Sequence, residues 1–104
     1  MRAVESGTGP MSVRLSVRVG RQAHPTVRAM LSALDEDLSM LYPGSGLTFA
    51  ERRPQGSETK GGSTDTEFVM VVSLTGILAA VHVMEWSIEN FPAMHSQLKR
   101  EICL

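Results

Sequence analysis

Residues 12–41 read SVRLSVRVGRQAHPTVRAMLSALDEDLSML, and two different periods meet inside them. From Ser12 to Val19 the alternation is strict: Val13, Leu15, Val17 and Val19 fall on one side, Ser12, Arg14, Ser16 and Arg18 on the other. Successive side chains of an extended backbone point to opposite faces, so this segment predicts a half-buried strand. Gly20 to His24 then supplies a turn, and Pro25 suits the first position of a helix, where its missing N–H is no loss. From Pro25 to Leu41 the period lengthens. Val27, Met30, Leu31, Leu34, Leu38 and Leu41 recur every three or four positions, while Arg28, Ser32, Asp35, Glu36 and Ser39 lie largely outside that stripe. A half-buried strand followed by an amphipathic helix predicts a helix packed on a sheet.

Outward from this unit, Tyr42 to Gly46 stops the helix, because Pro43 disfavours helical geometry before it and the glycines permit a turn. Leu47 to Arg52 alternates again as a second strand. Arg53 to Thr66 is polar, carries Pro54, Gly56, Gly61 and Gly62, and is expected to be a mobile loop. Phe68 to Leu74 is rich in Val and fits a buried strand, yet its continuity with later apolar residues also permits a helix. Ile77, Val81, Met84, Ile88 and Phe91 keep helical spacing, with Ala79, Ala80 and Trp86 flanking the stripe. Pro92 is read as the end of this helix, and the alternation from Leu98 to Leu104 as an edge strand. The expected fold is α+β, a small two-layer α/β sandwich of order β-α-β-(β or α)-α-β, with both helices on one face of the sheet. Residues 1–11 are expected to be a disordered leader, with Met11 an alternative start, and residues 12–104 one domain with its mobile loop at 53–66.

With 42% apolar and 20% charged residues, the chain has the composition of a folded domain that needs no disulfide or metal to hold its core. Ten Lys and Arg against eleven Asp and Glu leave a net charge of −1, so no overall field draws the chain to nucleic acid or anionic lipid. The single cysteine, Cys103, excludes an intrachain disulfide and any multi-cysteine metal cage; with no secretory pattern at the N-terminus, a reducing cytoplasmic compartment is expected. Phe68 to Met84 is free of charged residues and reaches the lower length limit for a membrane span. Ser73, Thr75, Gly76 and His82 interrupt it, which favours a non-membrane reading.

The residues offer little for chemistry. His24, His82 and His95 have no ligand-spaced partners and read as solvent or packing residues, so neither a metal nor a cofactor is expected. Asp35, Glu36 and Asp37 point about 100° apart on a helix and read as a solvated face. Lys60 to Thr64 lacks the residue order of a phosphate-binding loop, and Cys103 has no activating partner in the sequence. No catalytic set is assigned. Surface contacts are the remaining possibility: Arg14, Arg18 and Arg52, with Arg53, form a basic strip if the first two strands are adjacent, and Trp86 is an aromatic anchor if it lies off its helix's core stripe. The more ordinary readings are arginine stems covering a solvated sheet and a tryptophan in the core. The expected partner is another protein or a second copy of the chain.

Val13 to Val19, Leu47 to Pro54, and the passage Ser73 to Leu78 leading to Trp86 give a layout that resembles the effector-associated constant component domains of bacterial conflict systems. The resemblance spans nearly the whole chain after the leader. It implies a noncatalytic adaptor that links an effector to a regulatory partner. A second, local resemblance is carried by HPTVRAMLSALDEDLSMLYP at 24–43, which is similar to the first helix of acyl-coenzyme A dependent N-acetyltransferases and implies a truncated or inactive relative. The cofactor-binding turn of that family is approached by Arg53, Pro54, Gln55, Gly56, Ser57 and Glu58, but its last position is Glu.

Overall fold

The computed structural model describes residues 2–3, 11–54 and 65–103. In chain order the elements are β1 (Arg2–Ala3), β2 (Met11–Val19), α1 (His24–Leu41), β3 (Gly46–Arg52), β4 (Thr66–Leu74), α2 (Ile77–Asn90), α3 (Pro92–Glu101) and β5 (Ile102–Cys103). It is a small α+β fold, and its order follows the expected one from β2 to α2; β1 is an addition, extended where the leader was expected to be disordered. The three long strands form an antiparallel sheet of order β2-β4-β3, with β4 in the centre. β1 and β5 pair in parallel as a separate two-stranded ribbon.

The register explains why β4 resists assignment from sequence. Phe68, Met70 and Leu74 stand opposite Val17, Leu15 and Met11 of β2, while Val72 is flanked by Val13 of β2 and Leu47 of β3. All of these side chains are buried, and together they form the floor of the core. Val69, Val71 and Ser73 point to the other face and are half-buried by their neighbours on both sides. A central strand is thus apolar on both faces and reads as one continuous run, without the alternation that marks an edge strand.

α1 lies across this floor through Val27, Leu31, Leu34 and Leu38 of the expected stripe; Met30 is only partly buried, and Leu41, at the helix end, is exposed. α2 corrects the expected stripe. Its buried residues are Ala79, Ala80, Val83 and Ser87, whereas Ile77, Leu78 and Ile88 are exposed. Small side chains let the helix come close to the sheet and to α3, and the bulky ones are left on its flanks. A stripe chosen by side-chain size therefore selects the wrong face.

The tail is a second correction. Pro92 opens α3 at its first turn, and Phe91, Met94 and Leu98 bury one side of a helix where an edge strand was expected. Lys99 and Arg100 occupy its last turn, where the partial negative charge of the helix end favours cations. Among the described residues of the tail, Ile102 and Cys103 alone are extended; Leu104, the end of the expected strand, lies outside the described residues. The expected boundaries shift as well: Met11 is buried at the start of β2, Pro54 is buried, and Thr66 already belongs to β4. The remainder of the expected leader and loop, residues 4–10 and 55–64, lies outside the described residues. No helix among the described residues is long and apolar enough to cross a membrane.

α3 also closes one edge of the sheet. The Ser16 N–H and C=O point away from β4; the N–H donates to the Gln97 side-chain oxygen at 3.1 Å, and the C=O accepts from the Gln97 amide nitrogen. One side-chain amide thus satisfies both outward groups of a peptide that would otherwise offer itself to another strand. On the opposite edge, Asp35 of α1 accepts the Leu47 N–H of β3 at 2.8 Å.

Leu34 has no solvent exposure at the centre of the α1 stripe. Leu34→Asp is expected to destabilise the domain by about 3–5 kcal/mol, since it leaves a desolvated carboxylate without a partner. Chemical denaturation checks this, and an unchanged unfolding midpoint would contradict the placement of α1.

Candidate functional site

Two short turns build a concave surface. α1 ends at Tyr42, whose N–H returns to the Leu38 carbonyl at 2.8 Å. Gly44 then adopts φ +95°, and a Cβ there would approach Thr75 Cγ2 to 2.8 Å, so glycine is required both by backbone and by space. The Thr75 N–H donates to Ser45 Oγ at 3.0 Å, and the two hydroxyls lie 2.8 Å apart. Gly76, at φ +140°, reverses the chain into α2. These contacts fasten the end of α1 to the start of α2 and leave between them a groove of about 470 Å³ lined by Leu41, Tyr42, Pro43, Ile77, Leu78 and Ala79, with the Thr75–Gly76 backbone.

Its rim is unusually apolar. Leu78 is 72% exposed, Leu41 58% and Ile77 43%, with Met40 beside them on α1 at 79%. Scattered single apolar residues are normal on a surface; three from two helices around one groove form a patch of the kind that binds a partner.

Beside the groove, the surface between the helices changes character. The Tyr42 ring meets the His82 ring edge-on at 5.6 Å, and His82 lines a second recess, of about 320 Å³, with Asp37, Glu85, Trp86, Glu89 and Asn90. Asp37, Glu85 and Glu89 have no cationic partner among the described residues, and α2 contains no Lys or Arg. Trp86 is half-buried and packs against the core by one side while its other side lines the recess.

The expected acidic cluster divides accordingly. Asp37 faces this recess and Glu36 is exposed, but Asp35 is half-buried and bonded to Leu47 N–H, which corrects its reading as part of a solvated face.

The expected basic strip takes a different form. β2 and β3 are not adjacent, because β4 runs between them. Arg14, Arg18 and Arg52 nevertheless share the open face of the sheet: Arg18, Glu67 and Arg52 form one row across the three strands, and Arg14, Val71 and Thr48 another. Arg52 Nε donates to Glu67 at 2.9 Å and Ser16 Oγ also bonds it, which holds the Glu67 carboxyl below its ordinary pKa. Arg14 borders a small polar recess with Gln97, Arg100 and Glu101.

A cluster the sequence did not reveal links α1 to β3. The Glu51 carboxylate accepts Arg28 Nε at 2.7 Å and Arg28 Nη2 at 2.9 Å, and meets His24 Nε2 at 2.5 Å. The His24 ring also stacks on Phe68 at 5.5 Å. Arg28 and then His24 lower the Glu51 pKa to about 2. The available signal was parity: Glu51 follows Leu47 and Phe49 on the helix-facing side of β3, where a charge needs a partner.

None of these groups makes a reactive centre. Ser87 Oγ lies 3.0 Å from His95 Nδ1, but Ser87 is fully buried and bonds the Met84 carbonyl at 2.8 Å, so the pair joins α2 to α3 without offering a nucleophile. Among the described residues no three His, Cys, Asp or Glu side chains converge on a metal position. No family model, curated protein or solved structure matches the chain.

The Glu51 cluster has a pH signature. Its carboxylate titrates lower in the folded chain than in the unfolded one, so its contribution to stability is complete above the ordinary value of 4.5 and is lost as pH falls toward about 2. Glu51→Gln is therefore expected to melt earlier than the native chain at neutral pH, with the difference closing across that acid window. Parallel melting curves at every pH would contradict the cluster.

Proposed function

We propose that this chain is a noncatalytic interaction domain that receives a partner in the groove between α1 and α2. The observation that carries the reading is the exposed apolar rim of Leu41, Ile77 and Leu78, fixed in place by the Thr75–Ser45 bonds and adjoining, through the Tyr42–His82 contact, a recess that is acidic and holds Trp86. The chemistry of the occupant follows from the lining: apolar side chains for the groove, and cationic ones for the adjoining recess. There Asp37, Glu85 and Glu89 supply charge and the tryptophan face attracts a cation. An adaptor that joins an effector to a regulatory partner in a bacterial conflict system, which the layout resemblance implies, needs such a surface and no reactive group.

Trp86 is the only tryptophan in the chain, so its fluorescence reports on the groove directly. A helical peptide of leucine and lysine, used as a model of an apolar and basic partner, is expected to shift the Trp86 emission saturably. The response should weaken in Leu78→Ser and in Glu85→Gln, and with added salt. A response unchanged in both variants, or no response from the native chain, would contradict the reading.

A further inference from the structure

The net charge of −1 conceals a separation of charge between opposite sides of the molecule. The sheet carries its helices on one face, and among the described residues no helix covers the face of Arg14, Ser16, Arg18, Thr48, Ala50 and Arg52, where all but Ser16 are exposed. On it Arg14, Arg18 and Arg52 stand around an apolar centre of Val69, Val71 and Ala50, with Glu67 paired to Arg52. The outer face of α1 and α2 is the reverse: Glu36, Asp37, Glu85 and Glu89 are exposed there, α2 has no Lys or Arg, and the one arginine of α1, Arg28, is held by Glu51, while the exposed Lys99 and Arg100 of the helix side sit apart on α3. Its apolar part is the Leu41, Ile77, Leu78 rim and Trp86.

From this complementarity we propose that the occupant of the α1–α2 groove is a second copy of the chain, docked by its open sheet face. The inference rests on the groove reading above and names its partner. Each face has what the other lacks: Arg14, Arg18 and Arg52 meet Asp37, Glu85 and Glu89, and the Val69–Val71 strip meets the apolar rim. The two faces lie on opposite sides of one domain and differ from each other, so the contact is head-to-tail. Such a contact adds copies in series unless its rotation closes a ring. The sheet edges do not compete as joining sites where Gln97 and Asp35 already occupy their outward groups.

Sedimentation of the full chain at increasing concentration tests the proposal. Species larger than a dimer are expected at low salt, with dissociation on raising salt to roughly 0.5 M, where the screening length falls to a few ångströms. Arg14→Glu with Arg18→Glu reverses the sheet face, and Glu85→Lys with Glu89→Lys reverses the helix face. Each double variant alone is expected to weaken association by about tenfold or more, since attraction becomes repulsion at two positions. An equimolar mixture of the two restores it, because the acidic sheet face of one variant now fits the basic groove of the other. Melting curves verify that each variant is folded. The restored mixture remains decisive if either one is merely weakened.

A native chain that stays monomeric, or association that survives both reversals, would overturn the proposal. The Leu/Lys peptide separates the two readings: a monomer whose Trp86 still responds to peptide leaves the groove reading standing, and a monomer with no response removes both.

Discussion

The structure depends on one-sided burial of a three-stranded sheet. β4 is paired along both of its edges, and its inward residues Phe68, Met70, Val72 and Leu74 have no solvent exposure. A domain of this length has enough apolar surface to cover one face of such a sheet, and α1, α2 and α3 provide it. Among the described residues no helix covers the second face, and its composition is that of an open surface: half-buried valines at the centre with exposed arginines along the flanking strands. Both proposed contact surfaces are thus set by the same constraint, the one because no described helix covers it and the other because two helices must end and begin above the same strand.

Gly44 and Gly76 convert that constraint into a defined groove. Each holds a backbone conformation with positive φ, and together with Ser45 and Thr75 they lock the α1 exit against the α2 entry. The exposed leucines beside them cost solubility and contribute nothing to the core. Their retention on rigid supports is what a binding surface requires, since side chains already fixed in place lose less entropy on docking. The polar clusters have the opposite role: Glu51 with Arg28 and His24, and Ser87 with His95, tie one element to another and use their hydrogen-bonding capacity internally.

How far the sequence could be read follows from how each segment is buried. β2 and α1 each bury one face with large aliphatic residues, and their periods are plain. β4 is ambiguous because pairing on both sides removes its alternation. In α2 the contact is made by Ala79, Ala80 and Ser87, so closeness of approach outweighs side-chain size and the apparent stripe of Ile77, Val81, Met84 and Ile88 falls on the wrong side. In α3 a short alternation, Leu98, Arg100, Ile102, competes with the helical spacing of Phe91, Met94 and Leu98; Pro92 at the first turn was the deciding residue. Of the expected contact residues, Trp86 does border a recess, and Arg14, Arg18 and Arg52 do share a face, although through β4 and not as neighbours. The groove itself was not legible, because it joins the ends of two helices 35 positions apart through a turn that no local pattern describes.

The central claim is that the two oppositely charged faces of this fold recognise each other. It is tested most directly by placing a nitroxide at Ala33→Cys, an exposed position one turn before Asp37 on α1, in a chain whose Cys103 is replaced by Ser. This chain is mixed with isotopically labelled protein that carries no nitroxide. The account predicts that the label broadens amide signals of the other copy at Thr48, Ala50, Val69 and Val71, on or next to the open sheet face. Broadening confined to α1 and α2, as a symmetric helix-to-helix contact would give, or no intermolecular broadening at concentrations where the chain associates, would contradict it.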